Sequence, residues 1–226
     1  MRSRGIIVAI DGPAGAGKST TAKAAAERLG YLYLDTGAMY RAVALSVIRK
    51  GIDPDDEAAV GECAQNSRVE QEPGGEGTRT RLDGEDVSLE IRTQEVSNAA
   101  SHVAVHPPVR EVLVRLQKSI GEEGGIVLEG RDTTTAIFPD AELKVFLEAS
   151  VEERAQRRYR ELQAKGEAVD LAVLRTEIEE RDERDRQTQS RTGPWPPEDA
   201  VRLDTTGMTI EGQVTRIVDL AKDRGA

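Results

Sequence analysis

The sequence predicts an α/β protein whose parallel sheet carries helices on both faces. Three observations point there. Short aliphatic runs, Ile6–Ile10, Ile126–Leu128 and Leu143–Leu147, alternate with helix-length stretches along the chain. The first run is apolar at every position, as a strand buried on both faces requires, whereas a half-exposed strand alternates. It also passes through a glycine-rich turn directly into a helix-forming stretch. Strands alternating with helices imply right-handed crossovers and a sheet covered on both sides.

The elements follow in order. Ser19–Leu29, rich in alanine, reads as a helix stopped at Gly30 as a C′ glycine. Tyr31–Leu34 is a short second strand, and Met39–Lys50 a helix ended by Gly51-Ile-Asp-Pro54. Asp55 is expected to cap a further helix running to about Gln65. From about Ser67 to Ile91, short alternating segments broken by Pro73-Gly-Gly75 and Asp83-Gly84 predict a small antiparallel insert. Helical text resumes at Thr93 and runs to about Ile120, with Pro107-Pro108 starting a new helix within it. Ser150-x-x-Glu153 has the form of a capping box opening an arginine-rich helix. A second charged helix spans about Asp170 to Gln187, followed by a last strand at Val201–Leu203 and a helix at Ile210–Lys222.

Composition narrows the function. The chain has 226 residues, a formal net charge of −10 and only 3% aromatic residues. An acidic chain poor in stacking rings is unsuited to general nucleic-acid binding. A small polyanion still fits, because a cleft can concentrate a few arginines against an acidic background. One cysteine, Cys63, excludes an intramolecular disulfide and suits a reducing, cytoplasmic setting. No apolar stretch approaches the roughly 20 residues of a membrane span.

Gly12-Pro13-Ala14-Gly15-Ala16-Gly17-Lys18-Ser19, extended by Thr20, satisfies G-x-x-x-x-G-K-[ST] between a strand and a helix, the context that a P-loop requires. Its glycines let backbone N–H groups approach phosphate oxygens at a helix N-terminus. Lys18 is placed to reach the β- and γ-phosphates of ATP, and the Ser19 hydroxyl to ligate Mg²⁺. The fold class is therefore a P-loop NTPase-type sheet. No Asn-Lys-x-Asp segment of a guanine-reading switch is present. The strand at 126–128 continues Glu129-Gly130-Arg131-Asp132, and a basic–acidic pair at a strand's carboxyl end suits holding an acceptor. Further basic groups are Arg41, Arg110, the cluster Arg154, Arg157, Arg158 and Arg160, and Arg181, Arg184 and Arg186. A small-molecule kinase, with two phosphate-bearing ligands to neutralise, uses such a set.

Several segments resemble the bacterial cytidylate (CMP/dCMP) kinases: Ile10–Ser19, Leu34-Asp-Thr-Gly-Ala-Met-Tyr-Arg41, Gly84–Ser88, Glu90–Ser101, Gly130-Arg-Asp132 with Phe138–Ala141, and Glu180–Asp185. The resemblance implies transfer of the γ-phosphoryl of ATP to CMP or dCMP, with Mg²⁺. It implies a core of residues 1–66, 92–150 and 190–226. An insert at 67–91 would belong to the monophosphate-binding region, whose helices extend to about 122, and 151–189 would form a helical lid. Thr36, Arg41 and Arg131 match acceptor-phosphate positions, Ser101, Arg110 and Asp132 match cytosine-reading positions, and Arg181 and Asp185 match sugar-contacting ones. Lys18, Arg131, Arg181 and Asp132 are the candidate catalytic set, and Arg154, Arg158 and Arg184 the lid candidates for transition-state contact. The expected partners are ATP and CMP or dCMP alone, with no nucleic-acid polymer and no membrane, and the expected state is a monomer.

Two departures from the family pattern stand out. Thr133-Thr134-Thr135 replaces x-Gly-Thr, and Thr134 would be strained if its φ must be positive. Thr188 stands where an arginine is common, with Arg186 and Arg191 as nearby substitutes. A phosphate monoester is already ionised, so transfer to it needs no general base, and His102 and His106 read as surface or packing residues. An alcohol acceptor would instead need a base such as Asp35 or Asp132. A nucleotide-dependent regulatory protein that transfers nothing is the remaining alternative.

Overall fold

The computed structural model describes residues 2–74, 77–164, 166–189 and 194–226. Strand β1 (Ile7–Asp11) enters α1 (Lys18–Leu29) through the glycine-rich loop, and β2 (Leu32–Asp35), α2 (Thr36–Arg49) and α3 (Glu57–Asn66) follow. The insert comprises β3 (Val69–Gly74), β4 (Gly77–Leu82) and β5 (Glu85–Asp86), then a 3₁₀ turn at Glu90–Arg92. Next come α4 (Gln94–Val103), α5 (Pro107–Gly121), β6 (Ile126–Gly130), a π-helical turn at Thr133–Ile137 and β7 (Leu143–Glu148). The hairpin of α6 (Val151–Ala164) and α7 (Leu171–Gln189), then β8 (Val201–Asp204) and α8 (Ile210–Lys222), complete the chain.

The main sheet is parallel and has the order β2-β6-β1-β7-β8, so β1 lies at its centre. Its two faces build two cores. Ile7, Ala9, Ile126 and Leu128 pack with α2, α3 and α5, while Ile6, Val8, Ile10, Val145 and Leu147 pack with α1 and α8. The loops at the carboxyl ends of β1, β2 and β6 therefore meet on one rim, where ligands bind in open α/β sheets.

The antiparallel insert hangs on the free edge of β2. The Gln71 side chain donates to Asp35 O at 2.7 Å and accepts from Asp35 N at 3.1 Å, and Thr78 Oγ1 donates to Tyr33 O at 3.3 Å. Strand β3 runs on through Pro73 to Gly74, where the sequence suggested a break; Pro73 pairs with Thr78 at the end of the two-stranded ladder. An edge position tolerates a residue without an N–H.

Four local expectations are corrected. Asp56 caps α3, accepting from Ala59 N at 3.0 Å, whereas Asp55 lies 3.3 Å from His102. Helix α2 starts at Thr36 instead of Met39, because Asp35 caps it through Ala38 N at 2.8 Å. The Ser150 hydroxyl accepts from Glu153 N at 3.2 Å, but the reciprocal half of the box is replaced: Ser150 N donates to Thr206 Oγ1, and Glu153 accepts from Arg157. The segment 133–137, given no element above, forms the π turn because Asp11 binds its start. His102 is an exposed surface residue, and His106 is buried and donates through Nε2 to Pro54 O at 2.7 Å. Cys63 is a free, buried thiol against Ser46.

Asp11 is fully buried at the end of β1. It accepts from Thr133 N at 2.9 Å, Thr133 Oγ1 at 2.7 Å, Thr134 N at 3.0 Å and the Thr134 hydroxyl. Burial holds its pKa above the ordinary carboxylate range, against the opposing effect of the Thr134 hydrogen bonds. Thr134 carries no backbone strain: the only non-glycine residue with positive φ among those described is Asp83. The residue in the glycine's place thus becomes a ligand of Asp11. Asp11→Ala strands buried donors and is expected to destabilise the protein by about 3 kcal/mol or more, read as a lower urea midpoint with unchanged slope.

Candidate active site

The glycine-rich loop is fixed by close approach. Gly12 has φ 150°, and a Cβ there would stand 2.1 Å from Leu147 O on β7, so only glycine fits. No side chain caps the N-terminus of α1, whose N-cap Gly17 has φ 93°. The helix end is thereby left to an anion. Lys18 is buried and donates to Pro13 O at 2.8 Å. Burial, then Arg131 and Arg181, lower its pKa to about 7, with Glu129 and Asp185 opposing.

Ser19 Oγ donates to Glu129 Oε1 at 2.7 Å, and the Tyr33 hydroxyl to the same oxygen at 3.4 Å. Burial, then nearby Asp35, hold Glu129 above the ordinary carboxylate range. This carboxylate was not among the candidates. Its signal was positional: it ends β6 beside the β1 loop, directly before Gly130-Arg131-Asp132. The back of the P-loop is braced as well. Thr205 Oγ1 donates to Ala16 O at 3.1 Å, and Arg157 donates to Thr205 O at 2.8 Å. Nothing in the run of arginines distinguished Arg157.

Arginines converge near Lys18. Arg131 donates from Nε to Asp185 at 2.6 Å, and its own carbonyl accepts from Trp195 Nε1 at 2.9 Å. Arg181 reaches Ser97 on α4 at 3.2 Å, and Arg41 reaches Asp35 at 3.0 Å. Arg181 and Asp185 are therefore more than a pair on one helix face: each bonds to a different element. Burial, then Arg131, with Arg41 and Arg184 adding, lower the Arg181 pKa to about 10. Asp185 is held below its ordinary range: burial, acting alone, would raise it, but Arg131 and Arg181 outweigh that. The Nε atoms of Arg41, Arg181 and Arg184 are buried without partners. Crowding by like charge at Lys18 and Arg181, together with unsatisfied buried N–H groups, is the arrangement an anion would relieve.

Thr36 Oγ1 donates to Glu129 O at 2.7 Å, tying the start of α2 to β6 beside this cluster. Arg110 on α5 forms a tight ion pair with Asp132, and the charges of both act on the buried Tyr40. Ser101 turns its hydroxyl back to Asn98 O at 2.7 Å, so it is not hydrogen-bonded to Asp132 or Arg110 here. Of the hairpin arginines, Arg154 is buried and bound to both Asp182 oxygens, at 3.0 and 2.6 Å, and to Ala14 O at 3.1 Å. Arg158 bridges to Gln94 on α4 at 3.0 Å. Thr188 bonds back to Arg184 O at 3.0 Å, Arg186 pairs outward with Glu183, and Arg191 lies outside the described residues. A cleft of about 590 Å³ separates the hairpin, at Val173 and Leu174, from Leu89 and Gln94.

A phosphate-binding loop at the centre of a parallel sheet, facing a cationic pocket, defines a P-loop nucleotide-binding protein. The chain belongs to the cytidylate kinase family, whose model, described as "Cytidylate kinase", matches residues 8–223. The cytidylate kinase of Geobacter sp. (strain M21) is 48% identical over 224 residues, 99% of this chain and 96% of that one. That of Geobacillus sp. (strain WCH70) is 46% identical over 220 residues, 97% of each chain. An uncharacterized protein from Eubacterium ventriosum ATCC 27560, of known structure, shares the fold at a TM-score of 0.52 and 12% identity, covering 96% of this chain and 98% of that one.

Proposed function

We propose that this protein transfers the γ-phosphoryl group of ATP to CMP or dCMP, giving ADP and CDP or dCDP. The observation that carries the reading is the pairing of two sites on one rim: the P-loop with Lys18, and the cluster of Arg41, Arg131, Arg181 and Arg184 with its buried unpartnered N–H groups. Two phosphate-bearing ligands would meet between them. Arg41 and Arg131, with Thr36, would hold the acceptor phosphate, and Arg181 with Asp185 would face the sugar and the transferred group. Asp132 would accept from the exocyclic amine of cytosine, and Arg110 would donate to its ring acceptors. Ser101 would have to turn away from Asn98 O to join them.

The Ser19 hydroxyl and Glu129 carboxylate supply hard oxygen donors 2.7 Å apart, which suits Mg²⁺ held mainly by the nucleotide's own phosphates. That ion would neutralise charge on the β- and γ-phosphates. The protein's contribution is position and field: Lys18 and the arginines would stabilise charge as it shifts between oxygens, and no proton need be removed from the acceptor. The α6–α7 hairpin would serve as a lid, moving against the acceptor side across the cleft at Leu89 and excluding water. The residues on that side are the β3–β5 insert and the start of α4. Arg154, Arg158 and Arg184 would move with it, Arg154 as the brace between lid and P-loop. A cytoplasmic, monomeric enzyme of pyrimidine nucleotide metabolism follows from this reading. No helix among the described residues is long and apolar enough to cross a membrane.

The test is coupled ADP formation with Mg-ATP and, singly, CMP, dCMP, UMP, AMP, GMP and shikimate. Strong stimulation by CMP and dCMP and weak stimulation by UMP is the expected result. Flat response to every nucleotide overturns the acceptor assignment.

A further inference from the structure

Tyr40 lies one turn into α2, between Thr36, which is tied to β6, and Arg41, which belongs to the anion site. Its ring is buried, and its hydroxyl is shielded from solvent with no hydrogen-bond partner. An unpaired buried hydroxyl costs about 1–3 kcal/mol. Phenylalanine would fill the same space without that cost, so the hydroxyl gains nothing in the free protein.

The surroundings indicate what completes it. The charged groups that act on Tyr40 are Asp132 and Arg110, which already neutralise each other in a tight ion pair. Burial, then Asp132, push the phenol well above its ordinary pKa, against Arg110, so it remains a neutral O–H donor. A phosphate would be drawn instead to Arg181, which bonds to the Ser97 hydroxyl and has Arg131, Arg41 and Arg184 as cationic neighbours. A carboxylate–guanidinium pair with no net charge and an unpartnered phenol within its field suits an uncharged planar edge with mixed donors and acceptors. The other orphan outside the arginines among the described residues, Gln117 Oε1, belongs to a side chain whose amide faces Met39 Sδ at 3.6 Å.

We infer that Tyr40 is a further base-contacting residue of the acceptor site, its hydroxyl donating to a ring nitrogen or carbonyl oxygen of the pyrimidine. The inference rests on the acceptor assignment above and adds a polar contact to those of Arg110, Asp132 and Ser101. It makes the hydroxyl unsatisfied in the free protein and satisfied by ligand.

Tyr40→Phe separates this from a structural role. The variant is expected to melt at or above the wild-type temperature without ligand. Its affinity for CMP, by calorimetry and by the CMP-induced rise in Tm, is expected to fall about 10-fold, with KM for CMP rising in parallel. The loss should be equal for CMP and dCMP, and affinity for Mg-ATP should be unchanged. A lower melting temperature with unaltered CMP affinity would mean that the hydroxyl is structural, and a loss confined to CMP would place it on the sugar; either overturns the inference. Wild-type protein that binds Mg-ATP but neither CMP nor dCMP overturns the acceptor assignment and this contact together. Wild type that binds CMP as tightly as the variant does overturns the contact alone.

Discussion

Lys18→Met is expected to lower kcat/KM for phosphoryl transfer by about a thousandfold, the scale of losing one preorganised charge at a transition state. The same change should not weaken the fold. Lys18 is buried beside Arg131 and Arg181, and its pKa is lowered from 10.5 to about 7. Between those values the unfolded chain holds a proton that the native protein has released, so this group makes stability rise with pH across the window. Below about pH 7 both states are protonated, and the full cost of burying the ammonium is present. Lys18→Met removes that cost. Its unfolding midpoint at pH 7 should equal or exceed the wild type's, and its stability profile from pH 7 to 10 should be flatter. Nucleotide phosphates restore the lysine's preference for its proton. Calorimetry at pH 8 in buffers of different ionisation enthalpy should therefore show uptake of up to about one proton on ATP binding by the wild type and none by the variant. A variant less stable at pH 7, with the same proton uptake, would remove Lys18 from the electrostatic centre of the site.

Asp132→Asn is expected to reduce kcat/KM for CMP at least about 100-fold and to bring the CMP-to-UMP ratio toward unity. A site built to pair a substrate's polar edge discriminates strongly because the wrong edge leaves its own groups unpaired. Here the damage would be twofold: the amine's charged acceptor becomes a neutral amide whose NH2 competes as a donor, and the Arg110 guanidinium, mostly buried, loses its counter-charge. Removing one member of such a pair costs stability, up to about 3–5 kcal/mol when both are buried. Arg110→Met in the Asp132→Asn background should recover part of that stability and none of the activity. Selective loss of CMP turnover with retained ATP binding supports the pocket as drawn. Equal loss for all acceptors would assign Asp132 a purely structural role.

The parts of this molecule legible in the sequence are those encoded locally. The run Ile6–Ile10 and the Gly12–Ser19 loop declare a buried strand, a phosphate-binding turn and a helix within fourteen residues, and the structure places them at the sheet's centre. The helix caps were legible to within a residue or a turn. What stayed hidden depends on distant partners. The π turn at 133–137 exists because Asp11, more than 120 positions earlier, collects its donors. The sequence offers Arg154 as a lid candidate for transition-state contact, but does not show that it is locked by Asp182 and Ala14. Tyr40 and Glu129 both stood inside conspicuous segments, but no spacing rule shows which hydroxyl will lack a partner or which carboxylate will face Ser19. The arginine cluster could be listed from the sequence, whereas its mutual electrostatic pressure required the folded arrangement.

The tethering of the insert to β2 has a consequence for how this protein behaves in a crowded solution. β2 is an outer strand, and an outer strand offers backbone groups on which another chain can grow a sheet. Three of those groups, Asp35 N, Asp35 O and Tyr33 O, are taken by the side chains of Gln71 and Thr78. A side-chain amide thus imitates a neighbouring strand along this edge of the main sheet. The insert is in this respect a terminator, covering the β2 edge of the main sheet where pairing between molecules could begin.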